Sequence, residues 1–419
     1  MGVPYYTADL PGIGGQIKLH CEDFLVDEVP LYDASGEGPH CYFRVEKRNL
    51  STMEAARLIA QALGRRSIDI GYAGLKDTRA VTMQWFSVEH EAVDRVQALE
   101  VPHCKVVEVT RHRNKIKMGH LAGNRFIIKV RNPEWTRVGG VTVDAARQRA
   151  EAIWQVLERD GVPNFFGPQR FGMRHDNHLL GLALLTGNYQ DFCNRFLGDP
   201  DESVDRRDIL AARKLFVEGK LEEALERWPG HLRHERRALV ALIRGRSNPK
   251  RAALTVDVKL QQLFVSALQS HLFNEVLTQR LPRMARLEPG DLAWKHDNGA
   301  VFHLGTSAED VAREQPRCAA HEISPSGPLF GYKMTQAEAG VGEAEQAVLV
   351  GFHLTLESFR GPAGAHGARR ALRFFPRDVL LATGTDERGP FLECRFLLPS
   401  GCYATVLLGE MMKTDVAWE

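Results

Sequence analysis

At 419 residues the chain exceeds what one compact core usually holds, so two domains are the natural expectation. Its 44% hydrophobic and 26% charged content is that of a soluble globular protein with no apolar run long enough to span a membrane, and 54 basic against 53 acidic residues leave a net charge of +1 that neither demands nor forbids a polyanionic partner. Seven cysteines, an odd number with no Cys-x-x-Cys pair, read as free thiols in a reducing cytoplasm rather than as a disulfide framework or zinc site.

The N-terminus carries Pro4, Asp9 and Pro11 where a signal peptide needs an apolar run. Residues 16–30 place Ile17, Leu19, Leu25 and Val29 among polar residues and predict β-structure broken by a polar turn. His40 to Glu46 predicts a strand. Ser51 is an N-cap candidate with Glu54 three residues on, so a helix should follow, run to about Leu63 and stop at Gly64. Next comes the stretch Gly71-Tyr72-Ala73-Gly74-Leu75-Lys76-Asp77-Thr78-Arg79, which leads into a β-leaning run from Val81 to Val88. Gly71 and Gly74 predict backbone conformations closed to other residues. Asp77 is the one acid here, flanked by Lys76 and Arg79. It reads as a candidate nucleophile or general base, or as a turn aspartate in a surface salt bridge.

Residues 101–131 hold Lys105, Arg111, Arg113, Lys115, Lys117, Arg125, Lys129 and Arg131 against the single acid Glu108. The interleaved apolar residues predict a sheet with one dry and one positive face, suited to phosphates, or else a solvated lysine-rich edge. Ala145 to Glu158 predicts an amphipathic helix. Asn164-Phe165-Phe166-Gly167-Pro168-Gln169-Arg170-Phe171-Gly172 offers rings on which a base can stack and an amide that can read a base edge; a packed aromatic turn is the alternative. Arg233, Arg236, Arg237, Arg244, Arg246, Lys250 and Arg251 form a second basic region, or simply a solvated helix face. Leu260 to Arg280 predicts a long helix, 286–331 short strands and loops, and Gly361 to Ala368 a linker. His175/His178 and His231/His234 have a spacing found in metal sites, but neither completes a ligand pattern.

Five separated motifs resemble those of the TruD family of tRNA pseudouridine synthases. They are Lys18 with Glu22-Asp23-Phe24-Leu25-Val26-Asp27-Glu28; Gly74-Leu75-Lys76-Asp77-Thr78-Arg79-Ala80-Val81-Thr82-Met83-Gln84; Lys115 to Phe126 with its Gly123-Asn124-Arg125-Phe126; Asn164 to Gly172; and Arg395-Phe396-Leu397-Leu398-Pro399-Ser400-Gly401-Cys402-Tyr403-Ala404-Thr405. Phe165 stands where the family more often has tyrosine. The resemblance implies Asp77 as catalytic nucleophile and Phe24, Phe166 and Phe396 as apolar substrate contacts. It puts uracil recognition on Asn164, and leaves Lys18 or Arg79 to balance the nucleophile's charge. Read alone, Phe24 and Phe396 serve equally well as core rings.

The fold implied is α/β of the α+β type. A pseudouridine-synthase catalytic domain with a mixed, mainly antiparallel sheet would be formed by 1–188 and 368–419. An inserted α/β domain, the TRUD domain, would occupy 189–367, with tRNA in the cleft between. The expected protein is a cytoplasmic monomer that isomerises a uridine in tRNA, uridine 13 being the family's usual target. It needs no cofactor and no metal. Attack at C1′, attack at C6 and abstraction of a sugar proton all remain open to Asp77. The rivals are a non-catalytic RNA-binding or RNA-folding module, which would not need Asp77, and a metal-dependent RNA hydrolase.

Overall fold

A computed structural model describes residues 3–132, 135, 141–245 and 247–414; Arg246 of the second basic region lies outside them. The chain divides into two compact units, Met1–Val3 with Pro163–Arg373 and Pro4–Val162 with Phe374–Glu419. Apart from its first three residues, the middle of the sequence thus makes one unit and the two flanks the other.

The flanking unit is built on an eight-stranded sheet. Seven strands run in the order Arg377–Asp386, Gly389–Pro399, Leu121–Val130, Phe24–Pro30, Val81–Glu89, His40–Arg48, Cys104–His112, and Gly71–Tyr72 pairs with Val81–Glu89. Only Phe24–Pro30 with Val81–Glu89 is parallel. The C-terminal segment joins this sheet through Gly389–Pro399, with Phe396 directly opposite Phe126. Burial alternates along Phe24–Pro30, so Phe24, Val26 and Glu28 share the covered face. The helix Thr52–Leu63 forms where its signals lie: the Ser51 hydroxyl accepts from Glu54 N–H, and Gly64 closes the helix in the left-handed conformation at φ 66°.

This order corrects the expectation of one basic sheet over 101–131. Three strands separate Cys104–His112, at an edge, from Leu121–Val130. Most of the cations are also spent. Arg131 is buried between Asp23 and Asp386, and Lys129 pairs with Asp386. Arg125 pairs with Asp378 and Arg113 with Glu37. Arg111 and Lys115 donate to main-chain carbonyls. Among the described residues Lys105 and Lys117 are exposed with no ion pair.

The middle unit packs helices around the 23-residue helix Val258–Arg280 and carries a four-stranded antiparallel sheet of Ala368–Ala371, Ile323–Leu329, Leu292–Lys295 and Val301–His303. Its limits differ from the expected 189–367, because Asn164 bonds to Leu372 and Ala371 and helix Asn177–Leu185 packs on Val258–Arg280. Composition changes at 189, but packing changes at 163. The two helices approach so closely that a Cβ on Gly181 would lie 2.3 Å from the Phe264 carbonyl oxygen. Main chain cannot move aside cheaply, so Gly181→Ala should lower stability by about 1–3 kcal/mol in chemical denaturation. An unchanged midpoint would show that the helices separate without cost.

Candidate active site

Asp77 lies on the loop between Gly71–Tyr72 and Val81–Glu89, and buried side chains tie that loop down. The Thr52 hydroxyl accepts from Lys76 N–H at 2.9 Å and donates to Gln84 Oε1 at 3.0 Å, while Gln84 Nε2 donates to the Gly74 carbonyl at 2.7 Å. Lys47 Nζ donates to the carbonyls of Leu50 at 2.7 Å and of Asp77 itself at 3.3 Å. Burial lowers the Lys47 ammonium from its usual range to about 8, with the Asp77 charge opposing. Neither Gly71 nor Gly74 takes a positive φ, contrary to the sequence reading. Gly71 is needed for space instead: a Cβ there would lie 2.4 Å from Ser87 Oγ and 2.5 Å from the Ile116 carbonyl oxygen.

The carboxylate meets Lys18, whose Nζ is 2.5 Å from Asp77 Oδ1. Lys18 is buried, and its backbone holds φ 59°, a left-handed conformation that costs a non-glycine residue of order 1 kcal/mol. That strain aims the ammonium at an acid whose side chain keeps 24% of its surface open. Lys18 Nζ also lies 4.4 Å from the Phe24 ring centroid. From there a row of rings runs across the sheet, Phe24 to Phe126 at 6.1 Å and Phe126 to Phe396 at 5.5 Å. The fold thus links Asp77, Lys18, Phe24 and Phe396 through contact. Phe126 completes the row. It stood in the Gly-Asn-x-Phe motif, but no spacing in the sequence sets it beside Phe24.

Lys76 does not flank the carboxylate as a counter-charge. Its Nζ turns inward to Glu28 Oε2 at 2.6 Å and Asn124 Oδ1 at 2.7 Å, with both members of the ion pair buried. Burial pushes the Glu28 carboxyl up, and Lys76 pulls it back. Arg79 is exposed. Asn124, Glu28, Lys47, Thr52 and Gln84 therefore support the loop, and the sequence reading gave none of them that part.

Asn164 and Phe166 belong to the middle unit. Both polar atoms of the Asn164 amide are engaged there: Nδ2 donates to the Ala371 carbonyl at 2.9 Å, and Oδ1 accepts from the Arg370 guanidinium. Arg370 also lies over the Phe166 ring at 4.2 Å, and Phe273 meets that ring edge-on. Among the described residues no group of three His, Cys, Asp or Glu side chains is placed to hold a metal ion. His178 instead lies against His271, ring centroids 4.4 Å apart, and burial lowers its imidazole to about 4.

The model of the family "tRNA pseudouridine synthase D (TruD)" matches residues 1–411. The chain is therefore a pseudouridine synthase, an isomerase. A tRNA pseudouridine synthase D of Syntrophotalea carbinolica is 42% identical over 98% of this chain and 99% of its own, and one of Geobacter sp. is 41% identical over 98% and 99%. The crystal structure of a TruD protein from Methanosarcina mazei superimposes with a TM-score of 0.79 at 27% identity, covering 99% of this chain and 97% of that one. The chain belongs to the TruD family.

Proposed function

We propose that Asp77 is the nucleophile that isomerises a uridine of tRNA, uridine 13 in the family's usual substrate, to pseudouridine. The observation that carries this reading is the Asp77 carboxylate, open to solvent on a tied loop, paired with a buried lysine that also touches the aromatic row. The N-glycosidic bond breaks, the uracil turns, and a C–C bond forms at the same sugar carbon. The product has the atoms and oxidation level of the substrate, so the chemistry itself calls for no redox group or nucleotide, and we propose that the enzyme uses neither cofactor nor metal. An aspartate oxygen opens each route, by attack at C1′ or C6 or by taking a sugar proton. The target base must leave its stack to reach it.

Phe24, Phe126 and Phe396 are buried in this structure, and the row they form beside Lys18 is the apolar backing proposed for the detached base, while Lys18 holds the carboxylate in place between turnovers. Asn124 brings an amide to the Asp77 loop and is our candidate for the polar contact with uracil. The Asn164 amide is already spent, so its first task is to fix the Asn164–Gly172 segment to Ala368–Ala371. Phe166, with Arg370 above it, is the ring of that segment proposed to meet RNA. Arg79, exposed two residues from Asp77, is proposed to meet a phosphate. The chain is proposed to act as a cytoplasmic monomer. The test is to map pseudouridine in tRNA from a deletion strain and after incubation with purified protein; an unmodified uridine 13 in both would overturn the target.

Affinity is assigned to a stripe on helix Arg233–Arg244. Arg233, Arg237 and Arg244 fall on one face, all are exposed, and among the described residues none forms an ion pair. Replacing all three by glutamine should weaken tRNA binding and reduce the slope of log Kd against log salt by roughly one per lost phosphate contact. The single-turnover rate at saturating enzyme should hold. An unchanged salt slope would remove the stripe from the RNA interface.

A further inference from the structure

Away from the Asp77 carboxylate, the flanking unit contains a cavity of about 260 Å³ beyond the end of strand Phe24–Pro30, below the ~300–1,000 Å³ of drug-sized ligand sites and suited to something smaller. The rings of Tyr32, Tyr42 and Trp85 and the carboxyls of Glu28, Asp33 and Glu108 line it; among the described residues that do, the one basic side chain is the imidazole of His120, and there is no lysine or arginine.

The nearby cations are committed elsewhere. Lys76 is on Glu28 at 2.6 Å, and Lys115 donates to the Ile68 carbonyl. Arg44 lies opposite Glu108 in the strand pairing but gives its guanidinium to Asp27 at 2.6 Å. Asp33 and Glu108 remain exposed, and among the described residues neither is in an ion pair. The phenol groups are committed too: Tyr42 donates to the Asn114 carbonyl at 2.6 Å, and Tyr32 bonds His120 Nδ1 at 2.8 Å. These bonds fix the two rings; His112 already packs against both, 5.1 Å from Tyr32 and 4.8 Å from Tyr42, so a ligand meets only the parts of these rings that line the cavity. A neutral, hydrogen-bonding ligand such as a sugar finds few free donors, and a phosphate meets two carboxylates. Ring faces and carboxylates both attract positive charge.

We propose that this cavity binds a small organic cation, an alkylammonium group held against the faces of Trp85, Tyr32 and Tyr42 with Asp33 and Glu108 as its counter-charges. Glu28 lines the cavity and also holds Lys76, so the bound cation and the residue before Asp77 share a carboxylate.

Binding can be read without catalysis, so it stands or falls separately from the assignment of Asp77. The chain has six tryptophans; labelling with 5-fluorotryptophan gives each a fluorine signal, and Trp85→Phe identifies the one in the cavity wall. Tetramethylammonium and spermidine, titrated at constant ionic strength, should each shift that signal saturably in the millimolar range. The neutral isostere 3,3-dimethyl-1-butanol should not. Asp33→Asn with Glu108→Gln alters only exposed side chains and should weaken both cations about tenfold. Tyr32→Ala should weaken tetramethylammonium as well. No saturable shift with either cation, equal binding of the neutral isostere, or an unchanged dissociation constant in the double variant would each overturn the proposal.

Discussion

Asp77→Asn should lose isomerisation almost completely while tRNA binding persists. The amide keeps the shape of the carboxylate, and its oxygen can still accept from Lys18. The ties to the loop main chain, from Thr52, Gln84 and Lys47, do not involve the replaced group. What disappears is the proposed nucleophile. Removing such a group from an enzyme that works through it costs on the order of 10⁴- to 10⁶-fold in turnover. The measurements are pseudouridine formation in single turnover and the tRNA dissociation constant, which should stay within about threefold of wild type because affinity is proposed to reside mainly in phosphate contacts. Asp77→Ala controls for slow deamidation of the asparagine. A near-normal rate from the alanine variant would take Asp77 out of the chemistry.

The parts of this protein that are local in sequence were legible there. Ser51, Glu54 and Gly64 mark the ends of one helix because caps act over three or four residues, and the observed Thr52–Leu63 follows them. Val258–Arg280 and Val81–Glu89 likewise follow from runs of one residue character. Pairing across the sheet was not legible. Residues 104–131 look like neighbouring basic strands, but strands Phe24–Pro30, Val81–Glu89 and His40–Arg48 separate their two halves. Side-chain direction was hidden as well. Lys76 and Lys18 are equal cations on paper, but only the fold turns Lys76 onto Glu28 and, through a left-handed backbone, Lys18 onto Asp77. The family motif located Asn164 without revealing that Arg370 and Ala371, more than two hundred residues on, occupy its amide.

The Lys76–Glu28 pair gives the second large effect, on stability first and on catalysis through it. Both side chains are almost wholly buried at 2.6 Å, beneath the loop that carries Asp77. Taking two charges out of water costs several kcal/mol each, and their attraction at this distance roughly offsets that cost. The pair therefore adds little net stability, while removing one partner strands the other. Lys76→Met should lower stability by about 3–5 kcal/mol, because a buried carboxylate then stands unpaired, as should Glu28→Leu for the converse reason. Together the two changes should recover most of the loss, since neither charge remains. Catalysis should not recover with it. In the double variant Asn124 Oδ1 has lost its donor and the loop its inward anchor. A misplacement near 1 Å at a reacting group costs about 10²-fold in rate. Denaturant midpoints for the four proteins of the cycle, with single-turnover rates on each, test both halves. If the double variant is as unstable as the singles, the pair is not isolated in the way its geometry implies; if it turns over at the wild-type rate, Lys76 does not position Asp77.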